Sequence, residues 1–189
     1  MTSTQNIVVL GAGKSGVGAA VLAHLNGQKV LVSDASSIKE ESKKTLNKYG
    51  ISWEENGHSE QILQNTDKVV ISPGIPITAP FVKEIASREI PIVSEIEFAY
   101  QYCKSKKICI TGSNGKTTTT LLIAHLLKSA GLNARAVGNV GESYAMSVAI
   151  DPPDYQVIEL SSFQLDQMFS FKADVALLLN ITPDHLDRY

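Results

Sequence analysis

A short glycine-rich segment in the middle of the chain carries residue types that bind phosphate. Its sequence is GSNGKTT, and it comprises Gly112, Ser113, Asn114, Gly115, Lys116, Thr117 and Thr118. Glycines let backbone N–H groups face a phosphate, a lysine can reach its outer oxygens, and a threonine hydroxyl can bind Mg²⁺. The common loop G-x-x-x-x-G-K-[ST] needs a glycine at position 110, where this chain has Ile110. The segment is therefore predicted to be a shortened nucleotide loop; the alternative is a helix start capped by Thr117 or Thr118.

A second glycine-rich segment near the N-terminus follows the dinucleotide pattern G-x-G-x-x-G. It reads GAGKSG, with glycines at Gly11, Gly13 and Gly16, and the next apolar run ends in Asp34. Such a loop between a strand and a helix brings backbone N–H groups close to a diphosphate, and an acid after the next strand can bind a ribose. On this pattern alone NAD is a reasonable ligand, and the alternative is a tight turn that holds none.

Polar residues also follow three later apolar runs. Because ligands bind at the carboxyl ends of parallel strands, these residues are expected at the same edge as the loop at Gly112. Carboxylates, a histidine and a threonine hydroxyl there could hold one or two Mg²⁺ ions around a triphosphate. The residues are Asn139, Glu159, Ser161, Ser162, Gln164, Asn180, Asp184, His185 and Asp187.

The elements that would position these residues alternate between apolar strands and amphipathic helices. This alternation predicts an α/β fold with mainly parallel sheets and helices on both faces. The predicted strands are 6–10, 29–33, 68–72, 90–93, 107–111, 155–160 and 174–180, and the predicted helices are 16–25, 38–49, 79–88, 95–103 and 116–130. Two strand–glycine loop–helix units indicate two domains, 1–94 and 95–189, and the second is expected to contain three strands.

Composition narrows the classes of function. The chain has 189 residues, 43% of them hydrophobic, and a formal net charge of −2. The chain has no long run of basic residues that would indicate a nucleic-acid partner. It also has no segment long and apolar enough to span a membrane. Cys103 and Cys109 show no metal-binding spacing, which favours reduced thiols and a cytoplasmic location.

Several of these segments together carry a family resemblance. GSNGKTTT, GNVG, ELSSFQL and NITPDHLDRY, in that order, resemble the central domain of the Mur ligases of bacterial cell-wall synthesis, whose own loop is G-x-[NT]-G-K-[ST]. GAGKSG, SPGIP and SEIEFAY are similar to the branch that adds D-glutamate. The resemblance implies a Rossmann-like N-terminal domain followed by the first part of a P-loop-type ATPase domain.

The resemblance changes the expected ligand of the first glycine loop from NAD to a UDP-sugar. It implies that Gly13, Lys14 and Ser15 lie at the diphosphate, and that Asp34 and the turn Ser72, Pro73 and Gly74 contact the uridine side. Asn139 and Ser161 would orient the muramoyl-alanine end of the substrate. The hydroxyl and basic residues that usually follow the acid in this family are replaced here by Ala35 and Ser36.

The implied reaction is ATP-dependent addition of D-glutamate to UDP-N-acetylmuramoyl-L-alanine through an acyl phosphate, in peptidoglycan precursor synthesis. Lys116, Glu159 and His185 would be the catalytic residues, and Thr117, Glu159 and His185 would hold Mg²⁺. The family's carbamylated lysine and its C-terminal domain would lie beyond Tyr189, so the chain is expected to be an N-terminal fragment with little activity alone. The full-length protein is expected to be a monomer that binds neither nucleic acid nor membrane.

Three alternatives stay open on sequence grounds. An NAD-dependent dehydrogenase accounts for GAGKSG and Asp34 but leaves the loop at Gly112 without a role. A non-catalytic nucleotide-binding module would not require Lys116, Glu159 and His185 together. A Mur ligase that adds another amino acid would share most of the motifs.

Overall fold

A computed structural model describes residues 4–183 and contains two parallel β-sheets. The first sheet has the strand order β3-β2-β1-β4-β5. Its order changes direction at β1, where β2 lies on one side and β4 on the other, and ligands bind at such a position. The strands are β1 (Asn6–Leu10), β2 (Lys29–Ser33), β3 (Ser52–Glu54), β4 (Lys68–Ile71) and β5 (Ile92–Ser94).

Helices cover both faces of the first sheet because successive residues of β1 point to opposite sides. Ile7 and Val9 join one buried cluster, whereas Val8 and Leu10 join another. The first cluster contains α1 (Lys14–Leu25) and Leu46 of α2 (Glu40–Lys48); the second contains α3 (Pro80–Ser87) and a 3-10 turn, Glu60–Leu63.

The second sheet has the order β7-β8-β6-β9, again with all strands parallel. Its central strand, β6, leads directly into the glycine loop at Gly112. Its elements are β6 (Lys106–Thr111), α5 (Lys116–Ser129), β7 (Ala134–Gly138), α6 (Tyr144–Ala149), β8 (Tyr155–Glu159), α7 (Ser162–Leu165) and β9 (Val175–Leu178).

The two sheets share a helical layer. A short helix, α4 (Glu95–Tyr100), follows β5 and buries Ile96 and Phe98 in the same core as α1 and α6. Gly18 permits the close approach of α1 to α6, since a Cβ there would lie 2.1 Å from the Ser143 hydroxyl oxygen. The boundary at residue 94 therefore stays a proposal, because side chains on both sides of it pack into one core.

The predicted α/β class with mainly parallel sheets is confirmed. Some helices and strands were not predicted, however, and one predicted helix ends earlier than expected. The second sheet has four strands among the described residues instead of the expected three. The missed strand is β7, whose sequence ARAVG carries an arginine, two alanines and a glycine and so lacks a strong β-branched signal. The helix predicted over 95–103 ends at Tyr100, and β3 and α6 were also missed. No helix among residues 4–183 is long and apolar enough to cross a bilayer.

Glu97 holds the segment before β9 against α4. Its carboxylate accepts hydrogen bonds from the backbone N–H groups of Phe169, Ser170 and Phe171, at 2.9 to 3.1 Å, and from the Ser170 hydroxyl. Burial alone would raise the pKa of Glu97, but these hydrogen bonds outweigh it and lower the pKa below its ordinary value. Glu97 is thus expected to be charged in the folded protein at neutral pH.

Replacing Glu97 by alanine is expected to lower the free energy of unfolding by about 3 kcal/mol, because several N–H donors lose their acceptor. A depressed carboxyl pKa stabilises the fold above the pKa of the unfolded chain, and this contribution fades as the pH falls through the folded value. The difference from wild type should therefore shrink from neutral pH to about pH 3 in urea unfolding followed by circular dichroism. Glu84→Ala, which removes a surface pair with Arg88, is the control and should cost under about 0.5 kcal/mol. A Glu97→Ala chain as stable as the control would contradict the role.

Candidate functional site

The first glycine loop connects β1 to α1 and takes a shape that requires its glycines. Gly11 has a φ of +89°, which disfavours other residues. A Cβ at Gly16 would lie 1.8 Å from the Gly11 carbonyl oxygen, so the helix can start this close to the strand only without a side chain. Gly13 is the N-cap of α1, is exposed, and has no atom near its Cβ position, which leaves the helix N-terminus open to a ligand.

Asp34 follows β2 and fixes the neighbouring backbone. One carboxylate oxygen accepts from the Ala12 N–H at 2.7 Å and the other from the Ser36 N–H at 2.9 Å. Each oxygen keeps a second lone pair, so the carboxylate can also accept from a ribose hydroxyl. The expected position of Asp34 beside the first glycine loop is therefore present in the structure.

A cavity of about 750 Å³ and two of about 620 and 330 Å³ lie along the carboxyl ends of both sheets. The 620 Å³ cavity lies between Asp34, the start of α2 and residues of the second half of the chain, Gly141 and Met146. Lys14 stands on its rim with its ammonium 3.4 Å from the Gly141 carbonyl oxygen. The first glycine loop thus shares its cavity with the segment after β7.

The second glycine loop turns from β6 into α5. Gly115 is the N-cap of α5 with a φ of +85°, and Gly112 has a φ of +135°. The Lys116 ammonium donates to the carbonyl oxygens of Gly112 at 2.7 Å and Ser113 at 3.0 Å. These contacts hold the charge over the loop and next to the 750 Å³ cavity, where it can meet a phosphate.

A segment after β9 holds this loop through hydrogen bonds. The Asn180 side chain accepts from the Asn114 N–H at 2.8 Å and donates to the Asn114 carbonyl oxygen at 2.9 Å. Ser113 donates through its hydroxyl to the Thr182 carbonyl oxygen and accepts from the Thr182 N–H, both at 2.9 Å. The sequence pattern singled out Asn180 as a polar residue at a strand end, but it gave no signal for Thr182.

Glu159 joins the second loop to the GNVG segment. It ends β8, is 2% exposed, and accepts from the Thr117 hydroxyl at 2.8 Å and from the Asn139 side-chain amide at 2.7 Å. Carboxylate and hydroxyl oxygens are ligands that Mg²⁺ prefers, and each oxygen here has a lone pair to spare. No group of three or more His, Cys, Asp or Glu suited to a metal occurs within residues 4–183.

The 750 Å³ cavity joins both halves of the chain. Its wall includes Pro73 and Gly74 from the first half and Lys116, Asn139 and Ser161 from the second. Ser161 begins α7 in a capping box with Gln164. The 330 Å³ cavity continues from Gly74 and Asn139 to the first glycine loop, where it is lined by Gly13, Lys14, Ser15 and Ser72.

Most of the predicted site residues line these cavities or bond to residues beside them. Thr118 lies exposed on the first turn of α5 and, like Asn114, Gly115, Thr117 and Glu159, is not part of the walls of the three cavities. His185, with Asp184 and Asp187, lies outside the described residues. The contacts among Thr117, Glu159 and Asn139 agree with the expectation that the polar strand ends meet at one sheet edge.

Two family models match the chain, namely the Mur ligase middle domain over residues 110–189 and the MurD N-terminal domain over residues 6–80. The UDP-N-acetylmuramoylalanine–D-glutamate ligase of Bacteroides fragilis is 58% identical over 98% of this chain and 42% of its own length. The ligase of the same name from Porphyromonas gingivalis is 57% identical over 97% of this chain and 41% of its own length. The chain thus spans about two fifths of the length of these relatives.

Solved structures of related ligases share the fold. UDP-N-acetylmuramate:L-alanyl-gamma-D-glutamyl-meso-diaminopimelate ligase from Neisseria meningitides has a TM-score of 0.67 at 22% identity, covering 99% of this chain and 64% of its own. UDP-N-acetylmuramate-alanine ligase MurC from Thermotoga maritima has a TM-score of 0.63 at 22% identity, covering 98% and 43%. With two family models that match residues 6–80 and 110–189, relatives above 50% identity and this fold, the chain belongs to the Mur ligase family.

Proposed function

We propose that this chain carries the UDP-sugar and ATP sites of a ligase that adds D-glutamate to UDP-N-acetylmuramoyl-L-alanine in peptidoglycan precursor synthesis. The observation that carries the proposal is the contact of Glu159 with both Thr117 and Asn139. This contact connects the second glycine loop, proposed to bind ATP, to the segment at Asn139. That segment also lines the 330 Å³ cavity at the first glycine loop, so the two substrates could meet at this point. The names of the most similar relatives support D-glutamate as the amino acid.

The cavities give the substrate a path between the two loops. The 620 Å³ cavity beside Asp34 suits the uridine, and the α1 N-terminus with Lys14 and Ser15 suits the diphosphate. The sugar would then pass Ser72, Pro73 and Gly74, and the alanyl carboxylate would reach Asn139 and Ser161 in the 750 Å³ cavity. This order would bring the carboxylate next to the loop that is proposed to hold the γ-phosphate.

The residues around the second loop suit phosphoryl transfer, which depends on positioning and charge neutralisation. Lys116 and the loop N–H groups would bind the β- and γ-phosphates, and the substrate carboxylate would attack the γ-phosphorus to give an acyl phosphate and ADP. The amine of D-glutamate would then attack the acyl carbon with loss of phosphate. Asn139 donates a hydrogen bond to Glu159 and would also orient the acceptor end of the substrate.

Mg²⁺ fits the oxygen donors that are present. Thr117 and Glu159 would hold one ion, which neutralises phosphate charge when bound. His185 is proposed as a ligand for a second ion on the family resemblance.

The first test is calorimetric titration of the chain with UDP-N-acetylmuramoyl-L-alanine. Saturable binding is expected for this ligand and not for NADH, because the cavity at the first loop opens toward Asn139 and the ATP loop. Lys14→Ala should weaken binding about tenfold through the loss of a charge at the diphosphate. Lys44→Ala, an exposed lysine on α2 outside the cavity, is the matched control. Binding of NADH alone would overturn the proposal in favour of a dehydrogenase.

A further inference from the structure

One wall of the 620 Å³ cavity is a loop without regular structure of its own. Residues 34–39 connect β2 to α2 and belong to no helix or strand. All of them except Ala35 line the cavity. Ala35, Ser36 and Ser37 are exposed, and only Ile38 of this loop is buried. Such a loop keeps its shape only where its backbone groups find partners outside it.

The partners come from residues 55–59, which follow β3 and line none of the cavities described above. The Gly57 N–H donates to the Asp34 carbonyl oxygen at 3.3 Å, and the Asn56 N–H donates to the Ser36 carbonyl oxygen at 3.2 Å. These two bonds use backbone groups only. Glu55 differs from both residues, because it holds the loop through its side chain.

Glu55 connects the end of the loop to α2. Its Oε2 atom accepts from the Ile38 N–H at 2.6 Å and from the Ser37 hydroxyl at 3.4 Å. Its Oε1 atom accepts from the Lys43 ammonium, on α2, at 3.0 Å. Ser37, Ile38 and Ser42, the residue beside Lys43, all line the cavity. One carboxylate therefore holds two adjoining parts of the same wall.

The Glu55 carboxylate is charged in the folded chain. The hydrogen bonds from Ile38 and Lys43 lower the pKa of Glu55 below its ordinary value. A charged acceptor strengthens the bond to the Ile38 N–H. Lys43 also pairs with Glu40 at 3.4 Å, but within residues 4–183 Glu40 makes no hydrogen bond to the loop. Glu55 is thus the acid that joins Lys43 to the loop.

We propose that Glu55 is a positioning residue for the UDP-sugar, because it fixes the loop of residues 34–39 against the cavity through the Ile38 N–H. Glu55 does not line the cavity and would not touch the ligand. Its effect would pass through Ser37 and Ile38, which do line it. A wall that occupies its binding position only part of the time reduces the apparent affinity by that fraction. The inference rests on the proposed function of the first glycine loop.

The sign of the effect separates positioning from simple electrostatics. The UDP-sugar carries a negatively charged diphosphate, so loss of a carboxylate nearby would by itself strengthen binding. Loss of the anchor of the loop would weaken binding. Weaker binding after removal of Glu55 therefore has the opposite sign to the change in charge.

The test is calorimetric titration of wild type, Glu55→Ala and Glu55→Gln with UDP-N-acetylmuramoyl-L-alanine. Glu55→Ala should bind about tenfold more weakly, as for a loop that is in position about one tenth of the time. Glu55→Gln keeps a side-chain carbonyl oxygen for the Ile38 N–H and should bind within about threefold of wild type. Urea unfolding at the titration temperature establishes that each variant is folded.

Glu40→Ala is the matched control. Glu40 shares Lys43 with Glu55, its side chain is 79% exposed, and it does not line the cavity. The substitution removes the same charge but leaves the bond between Glu55 and Ile38. Its affinity should equal the wild-type value or slightly exceed it.

Hydrogen exchange of the wild-type chain, followed by NMR, does not depend on a variant that folds. The Ile38 N–H should exchange at least about tenfold more slowly than that of exposed Ser37, after correction for intrinsic rates. Saturation with the UDP-sugar should slow the exchange of Ile38 further, because the ligand would hold the wall in place.

The outcomes separate this inference from the proposed function. Wild-type affinity in Glu55→Ala, equal weakening in Glu55→Gln or Glu40→Ala, or an Ile38 N–H that the ligand does not protect overturns the role of Glu55 and leaves the UDP-sugar site intact. Absence of saturable binding in wild type overturns the proposed function of the first loop, and the role of Glu55 with it. Weakening in Glu55→Ala with recovery in Glu55→Gln supports the inference. If Glu55→Ala does not fold, Glu55→Gln and the exchange of Ile38 decide by the same criteria.

Discussion

Replacing Lys116 by methionine is expected to weaken ATP binding at least about 100-fold, equivalent to ~3 kcal/mol. The ammonium lies within 3.0 Å of two carbonyl oxygens of the loop, and Lys116 borders the 750 Å³ cavity. A bound phosphate would offer the ammonium a charged oxygen as acceptor, in place of these neutral carbonyl oxygens or in addition to them. Hydrogen bonds between charged groups are about twice as strong as those between neutral groups. Displacement of a fluorescent ATP analogue measures the loss.

The control for this variant is Lys128→Met, on the last turn of the same helix. Lys128 is exposed and basic in the same way, but lies at the opposite end of α5. It should keep the wild-type affinity, and both variants should keep the wild-type circular dichroism spectrum. ATP binding that survives in Lys116→Met would show that the loop is only the start of a helix.

Replacing Gly16 by alanine is expected to lower the free energy of unfolding by ~3 kcal/mol or more and to abolish UDP-sugar binding. The added methyl group would lie 1.8 Å from the Gly11 carbonyl oxygen and 3.0 Å from the Ser72 hydroxyl oxygen. Because the nearest atom is backbone, α1 or the loop must shift to relieve the overlap. The shift would move the N-terminus of α1 away from the diphosphate, and thermal unfolding and calorimetry would detect both losses.

Gly13→Ala is the matched control in the same loop. Gly13 has a φ of −72°, and no atom lies within 4 Å of its Cβ position, so alanine fits the folded chain without strain. The free energy of unfolding of this variant should lie within about 0.5 kcal/mol of the wild-type value. Equal stability of Gly16→Ala and Gly13→Ala would contradict the tight packing of helix on strand at this point.

The sequence predicted the parts of the fold that follow from local patterns. Short apolar runs between helices gave the parallel sheets, and the glycine spacings gave both loops, because only glycine tolerates φ near +89° at Gly11 and +85° at Gly115. The meeting of Asn139, Glu159 and Thr117 followed from the rule that polar residues after parallel strands share an edge. Family resemblance then supplied the ligands that we propose for the two loops.

Features that depend on tertiary contact had no comparable signal. The strand β7 is held by pairing with β8 although its sequence ARAVG has weak strand propensity. Thr182 bonds the second loop through its backbone carbonyl and N–H groups, which any residue type other than proline could supply. Glu95 and Glu97 look like ordinary acids in the first turn of a helix, and only the fold shows that both are buried. No local pattern separates them from exposed glutamates.

The shared cavity at the first glycine loop has a consequence for protein synthesis. Its walls come from residues near position 12 and from Gly141 and Met146, more than a hundred residues later. All five strands of the first sheet precede the second sheet in the chain, so they leave the ribosome first, and at that stage the pocket lacks one side. A nascent chain that is released or paused before Gly141 and Met146 emerge would contain all strands of the first sheet but would lack one wall of the ligand cavity. Ligand capture would therefore report on synthesis of the second half, and a dissected first domain would make a poor target for inhibitor screening.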